Sequence, residues 1–210
     1  VEYQVDIGGT MYGMKDIQSC AIERPLFDKL SVGNACSAEL DISLWPTSTI
    51  PRMAKIIPYA RKESSDPWTQ LGVFYMDTRE MSNGLMSIVA YDAMLKGEAT
   101  WLTSDYNTDN WPKSQDDSVQ DIAGRIGVAI DSRTVLSSKY PVAYPIDENG
   151  EKTMRQVLCE IAAADGGNWI ITNAGELLLV PLFTSVPDET HYLVREDGDA
   201  ITFGGVRILV

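Results

Sequence analysis

Histidine is almost absent: His191 is the single one among 210 residues. A site built on two imidazoles is therefore excluded. The serines carry no G-x-S-x-G elbow either, so His191 reads as an exposed or packed side chain rather than a catalytic base. Cysteine is scarce too. Cys20, Cys36 and Cys159 have no metal-ligand spacing, and their odd number argues against a secreted disulfide scaffold. They are expected to be buried, reduced thiols. No run approaches the ~20 apolar residues of a membrane helix, and no basic-then-apolar leader is seen, so no membrane anchor is expected. Positive charge is also short. Seventeen Lys and Arg face thirty Asp and Glu, for a formal net charge of −13. Such a surface repels phosphate backbones, so autonomous nucleic-acid binding is not expected. No phosphate-cradling loop of Walker type occurs, and Gly8-Gly9 and Gly204-Gly205 read as bends or bulges. No cofactor is expected.

The chain has the material for a core. Apolar residues make up 44% and charged residues 22%, ordinary for a folded protein. The length suits one large domain or two small ones. The chain opens on Val1 without an initiator methionine and ends at 207–210 in what reads as mid-strand. A fragment of a longer protein is expected.

Cys36, Ala38, Leu40, Ile42 and Leu44 alternate with Ser37, Glu39, Asp41 and Ser43. This period of two marks a strand with one wet and one buried face. Strands are also expected at 5–7, 16–22, 51–60, 69–78 and 86–91. Asn83-Gly84 signals a tight hairpin. The pattern changes after Lys96. Val119, Ile122, Ala123, Ile126 and Ile130 trace an amphipathic helix, capped near 116–118. Thr153 and Gln156 form a capping box. Met154, Val157, Leu158, Ile161 and Ala162 then recur at helical spacing, and Gly166-Gly167 ends that helix. Two β-prone runs follow at 168–172 and 176–182. Further β-like runs lie at 191–194 and 200–210. The expectation is an α+β fold: an antiparallel, barrel-like β domain made of 1–102 and 183–210, with 103–182 inserted as a helix-helix-hairpin subdomain.

Few residues invite chemistry. Asp105, Asn107 and Asp109 fall at the first three odd positions of an EF-hand loop, with Asp116 at the twelfth. Asn110 replaces the required glycine, Pro112 the apolar residue, and Asp116 is shorter than the bidentate glutamate. The stretch reads better as a solvated loop before a helix. Glu39 with Asp41, or Asp116 with Asp117, could be a glycosidase pair, which needs carboxyls across a cleft. Glu39 and Asp41 share the wet face of one strand, where carboxylates are expected anyway. No catalytic or metal residue is therefore expected. Trp169 is expected to pack the hairpin on the helix. Trp68 and Trp111 lie in polar loops and are the candidate partner interface, where tryptophan is enriched.

Three stretches carry a resemblance. I-x-R-P-L-F-D-K-L-S-V-G-N-A-C-S-A-E-L-D-I-S-L-W-P spans 22–46. L-G-V-F-Y-M-D-T-R spans 71–79, and L-M-S-I-V-A-Y-D-A-M-L spans 85–95. With the helix-hairpin run at 153–182, their order resembles the tail hub (baseplate) proteins of tailed bacteriophages and of prophages in Gram-positive bacteria. The resemblance covers roughly 6–182. It implies a structural virion protein: a hub ring at the distal end of the tail tube, usually a homotrimer, with tail-tube and tail-tip proteins as partners. It further implies assembly in the host cytoplasm and an insert interrupting the first barrel. The alternatives are a cell-surface or carbohydrate-binding β module, and the non-catalytic part of a tail-associated cell-wall hydrolase.

Overall fold

The computed structural model describes residues 1–25, 31–101, 111–143, 145–147, 150–182, 202–203 and 206–207. Alternating sequence builds the first part. Its strands are β1 (Glu2–Ile7), β2 (Thr10–Gly13), β3 (Ile17–Glu23), β4 (Asn34–Ala35), β5 (Glu39–Leu44), β6 (Lys55–Arg61), β7 (Thr69–Gln70), β8 (Phe74–Ser82) and β9 (Leu85–Tyr91). All but β4 join one sheet, in the order β2-β1-β6-β8-β9-β5-β3 with β7 beside β6. Every ladder in it is antiparallel. Leu40, Ile42 and Leu44 are buried and their odd-numbered neighbours are not, as the period of two predicts. Their core partners include Val5, Ile7, Tyr12, Ile56, Phe74 and Ile88.

Two strand expectations are corrected. The strand expected at 51–60 begins at Lys55, because 51–54 turn through Met53 at φ 56°. The run 69–78 divides into β7 and β8. Gly72 lies at the break, where a Cβ would come within 2.5 Å of the Phe74 ring.

The barrel is also corrected. The sheet is open: among the described residues β2 and β3 form no ladder with each other. Yet it must curl. Laid flat, seven strands about 4.8 Å apart would hold the edges roughly 29 Å from each other. The link at 14–16 reaches at most about 14 Å. The link itself opposes closure. Asp16 N–H donates to the Gly13 carbonyl at 2.9 Å, and the Asp16 carboxylate accepts from Gly13 N–H at 3.1 Å. Those Gly13 groups serve the turn and not a β2–β3 ladder.

A short 3-10 helix (Ala93–Glu98) leads to the second part. There α1 (Gln115–Ile126), β10 (Ile146–Asp147), β11 (Gly150–Glu151), α2 (Met154–Ala164), β12 (Gly167–Ile171) and β13 (Leu177–Pro181) follow in order. Beyond them β14 (Thr202–Phe203) and β15 (Val206–Arg207) pair with each other; the rest of 183–210 lies outside the described residues. The capping box forms as expected. Gln156 N–H donates to Thr153 Oγ1 at 3.1 Å, and Thr153 N–H to Gln156 Oε1 at 2.8 Å.

The first helix starts earlier than expected, because Ser114 caps it and not 116–118. It also ends earlier, at Gly127 with φ 78°, so Ile130 leaves the helix and bridges to Leu177. The apolar faces of both helices close on β12 and β13. Trp169 is fully buried among them, and its Nε1–H donates to the Leu158 carbonyl at 2.9 Å. One strand of this small sheet comes from far away in sequence. β4 runs parallel to β12, with Asn34 opposite Asn168 and Ala35 opposite Trp169.

Candidate functional site

The two candidate tryptophans sit on different parts of the molecule. Trp68 follows the polar loop after β6 and is half-buried. The Arg61 guanidinium lies 4.4 Å from its ring centroid, a cation–π contact. Arg61 also bonds Glu2 at 2.5 Å and the Ser64 carbonyl at 2.8 Å. Ser64 and Arg61 together hold the Glu2 carboxyl below its ordinary pKa. Trp68 is thus a fixed ring on the flank of the sheet.

Trp111 is less free than its polar neighbours suggest. It packs against the helical core, its ring edge-on to Trp101 at 5.0 Å. Lys113 Nζ lies 5.2 Å from one ring and 5.6 Å from the other. Trp101 is buried, and its Nε1–H donates to Asp121 at 2.5 Å. Arg125 then ties Asp121 at 3.0 Å to the Trp101 carbonyl at 2.8 Å. This cluster flanks the stretch that holds Asp105, Asn107 and Asp109, which lie outside the described residues, as does His191.

The carboxylate pairs take ordinary places. Asp117 accepts from Ser114 Oγ at 2.7 Å, while its N–H donates back at 3.0 Å, so it belongs to the α1 cap. Glu39 and Asp41 lie on the outer face of β5, opposite Tyr91 and Val89. Partial burial, then Glu39, Asp77 and Asp41, raise the Tyr91 hydroxyl above its ordinary pKa. Among the described residues no group of three His, Cys, Asp or Glu is placed to hold a metal ion. The cysteine expectation needs correction. Cys36 is buried and Cys159 half-buried, but Cys20 is exposed. It lies on edge strand β3, most of whose residues are exposed.

Sequence reasoning missed Asp92. It is 3% exposed and sits where the two parts of the molecule join. One carboxylate oxygen accepts from Met94 N–H at 2.9 Å and Ser37 Oγ at 3.1 Å, the other from Ala38 N–H at 2.7 Å. Burial raises its pKa in spite of these bonds and of the Arg24 charge. The signal was available: an Asp just after a strand and immediately before a helical turn is a capping position. Asp92, Arg24, Cys36, Ile170 and Val180 line a cavity of about 290 Å³. Around it the join is held by more contacts. Gln70 Nε2–H donates to the Asn173 carbonyl at 2.6 Å, Arg155 Nε–H to the Ala35 carbonyl at 2.7 Å, and Lys96 Nζ lies 3.9 Å from the Tyr75 ring centroid. The arrangement braces a curled sheet and leaves its edge ladders open.

No protein-family model matches the chain. No curated protein matches it either. Solved structures do. The fold is similar to that of the prophage MuSo2 43 kDa tail protein from Shewanella oneidensis, with a TM-score of 0.58 at 12% identity, over 90% of this chain and 58% of that one. Prophage tail protein gp18 from Listeria monocytogenes EGD-e matches with a TM-score of 0.46 at 12% identity, over 95% of this chain and 64% of that one. The chain spans less than two thirds of the length of either protein. Its structural neighbours are prophage tail proteins, and at this identity the likeness is one of fold.

Proposed function

We propose that this chain is a structural part of a phage or prophage tail, and more narrowly of the hub ring at the distal end of the tail tube. The observation that carries the reading is the fold likeness to a prophage tail protein over 90% of the chain. The hub-like order of the motifs at 22–46, 71–79, 85–95 and 153–182 supports it. So does the open sheet, whose outer strands β2 and β3 each keep one unpaired side among the described residues. A closed ring needs heterologous contacts that return on themselves, and free strand edges supply the hydrogen bonds for them. The −13 charge suits the wall of a DNA conduit, since DNA does not adhere to it.

The partners are copies of the same chain in a homotrimer, together with tail-tube and tail-tip proteins. Assembly takes place in the host cytoplasm and the product resides in the virion tail. The role is non-catalytic, and Trp68 is the better placed of the two candidate tryptophans to meet a neighbour. Sedimentation of the full-length protein tests the ring. A trimer is expected at micromolar concentration and moderate salt, where the like charges are screened. A monomer at every concentration, with tail-tube protein present or absent, contradicts it.

A further inference from the structure

A strand edge that pairs with the same edge of a second copy closes a two-fold dimer, so a ring built on strand pairing needs two different open edges on each chain. The turn at Asn83-Gly84 shows where one of them lies. Its φ angles of 51° and 83° make a two-residue turn of type I′, with Ser82 opposite Leu85. That flanking pair exchanges both hydrogen bonds, and bonded and non-bonded pairs alternate from it. Glu80–Ser87 and Thr78–Val89 are the next bonded pairs, so the N–H and C=O groups of Arg79 and Met81 point away from β9. The alternation carries across the sheet. Met86, Ile88 and Ala90 bond to β5, and Ser43, Asp41 and Glu39 bond to β3. Two hydrogen bonds outside the ladders agree with it: Asp92 N–H donates to the Ala38 carbonyl at 3.1 Å, and Trp45 N–H to the Asp16 carbonyl at 2.8 Å. The main-chain groups of Cys20 and Ile22 therefore point outward from β3. Among the described residues no further backbone bond reaches Cys20, Ile22, Arg79 or Met81.

Other edges are short or closed. Gly8-Gly9 is a second turn with two positive φ angles, which turns Met11 and Gly13 outward on β2. The Asp16 turn takes Gly13 and leaves Met11 alone. On β13, Leu177 N–H donates to the Ala129 carbonyl at 2.8 Å and Leu179 N–H to Thr134 Oγ1 at 3.3 Å. Arg155 takes the Ala35 carbonyl of β4. Self-pairing of β8 is opposed by charge. In the antiparallel register that joins Arg79 to Met81, the Glu80 carboxylates of the two copies stand directly opposite each other.

We infer that β3 of one copy pairs antiparallel with β8 of the next, Cys20 opposite the neighbour's Met81 and Ile22 opposite the neighbour's Arg79. This deepens the ring reading and rests on it. No other antiparallel register gives both open residues of each strand a partner. The side chains fit the same register. Cys20 and Ile22 share the core face with Ile42 and Leu40, which are 1% and 0% exposed, yet Cys20 on the outer strand is exposed. Arg79 and Met81 share the core face with Ile88 and Met86, yet Met81 is 54% exposed. Pairing lays Met81 against Cys20 and the Arg79 stem against Ile22, so the apolar face of one sheet runs on into the next. On the wet face Glu23 meets Thr78 and Ala21 meets Glu80. No like charges stand directly opposite, but Glu23 and Glu80 are diagonal neighbours, so the contact tightens as salt rises.

Met81→Cys in the full-length protein tests it. A bonded antiparallel pair holds its Cα atoms about 5.5 Å apart, within disulfide reach. Inside one chain β3 and β8 are three ladder spacings apart, about 14 Å, which is beyond that reach. Mild oxidation with a thiol oxidant is expected to join Cys20 to position 81 of the neighbour. A non-reducing gel should show a covalent trimer, and mass spectrometry the linked peptides. Adding Cys20→Ser should abolish the link. Glu80→Cys, turned to the other face, should not form it. Ile22→Pro removes an outward N–H and leaves the β5 ladder intact, as edge positions allow. It should raise the concentration of half-assembly at least tenfold. A sedimenting trimer that gives no such link, or that Ile22→Pro leaves unchanged, overturns the inference and leaves the ring standing. A link between two Cys20 residues overturns it in favour of a two-fold pair. A monomer throughout overturns the inference and the ring together.

Discussion

In the sheet unit the strands run out into open ladders, while in the helical unit most ends are closed. β3 is exposed along most of both faces and β8 is exposed from Asp77 onward. Against this, α1 and α2 begin on side-chain caps, and α1 stops on a left-handed glycine. The cores differ in the same sense. The sheet core is assembled from pairings distant in sequence, such as Glu2 with Arg61 and Ile17 with Leu44. Half of the helical core comes from one local run, 154–179, around Trp169. A unit that leaves main-chain groups unpaired keeps them available to partners. A unit that satisfies its own polar groups is suited to bracing.

Breaking the brace should give the largest effect. Trp169→Ala removes the fully buried indole and its bond to Leu158, at an expected cost of about 3–5 kcal/mol. Urea denaturation measures the loss. Hydrogen exchange should show β12 and β13 losing protection before β5 and β9. Equal loss in both sheets would break the comparison, because the two cores would then be one.

The join comes next. Asp92→Ala strands the Ala38 and Met94 amides, an expected loss of about 2–4 kcal/mol. The parent should also show a pH dependence that Asp92→Asn lacks. Burial raises the Asp92 pKa above its unfolded value, so over that interval the folded state holds a proton the unfolded state has released. Its contribution to stability therefore rises as pH falls from neutral through the folded pKa, and levels off below the unfolded one. Asp131 works in the opposite direction. Arg133 holds it down to about 2, so its contribution is present above the ordinary carboxylate range and fades as pH falls toward 2. Denaturation of parent and Asp92→Asn between pH 4 and 7 separates the two. Parallel curves would contradict the assignment.

What was legible in the sequence was local. The capping box at Thr153, the Asn83-Gly84 turn and the alternation through β5 all depend on neighbours within a few residues, and all three formed. The α1 start was misplaced because three acidic or hydroxyl candidates follow Ser114, and only backbone geometry decides which of them caps. The β4–β12 pairing had no local signal at all, since Asn34 and Asn168 meet across 134 residues. The unclosed barrel was hidden for a related reason: the Asp16 contacts that divert Gly13 look like any short polar turn. The two candidate tryptophans read alike from their polar surroundings and are both half-buried, and only tertiary packing separates Trp111, which joins the helical core, from Trp68, which lies under Arg61.

The smallest effect sharpens the comparison on the helical side. Thr153→Ala should cost about 1 kcal/mol, the ordinary worth of an N-cap. Thr153→Ser should recover most of it. Thermal melts of both variants measure this, and a Thr153→Ala protein as stable as the parent would mean that α2 is held by packing alone.

Immunogold labelling of tailed particles, induced from the host that carries the gene, tests the central claim most directly. Antibody against this chain is expected to decorate a single point at the distal end of the tail, beyond the last ring of the tube. Label along the whole tube, at the capsid, or only on free protein beside unlabelled particles would contradict it.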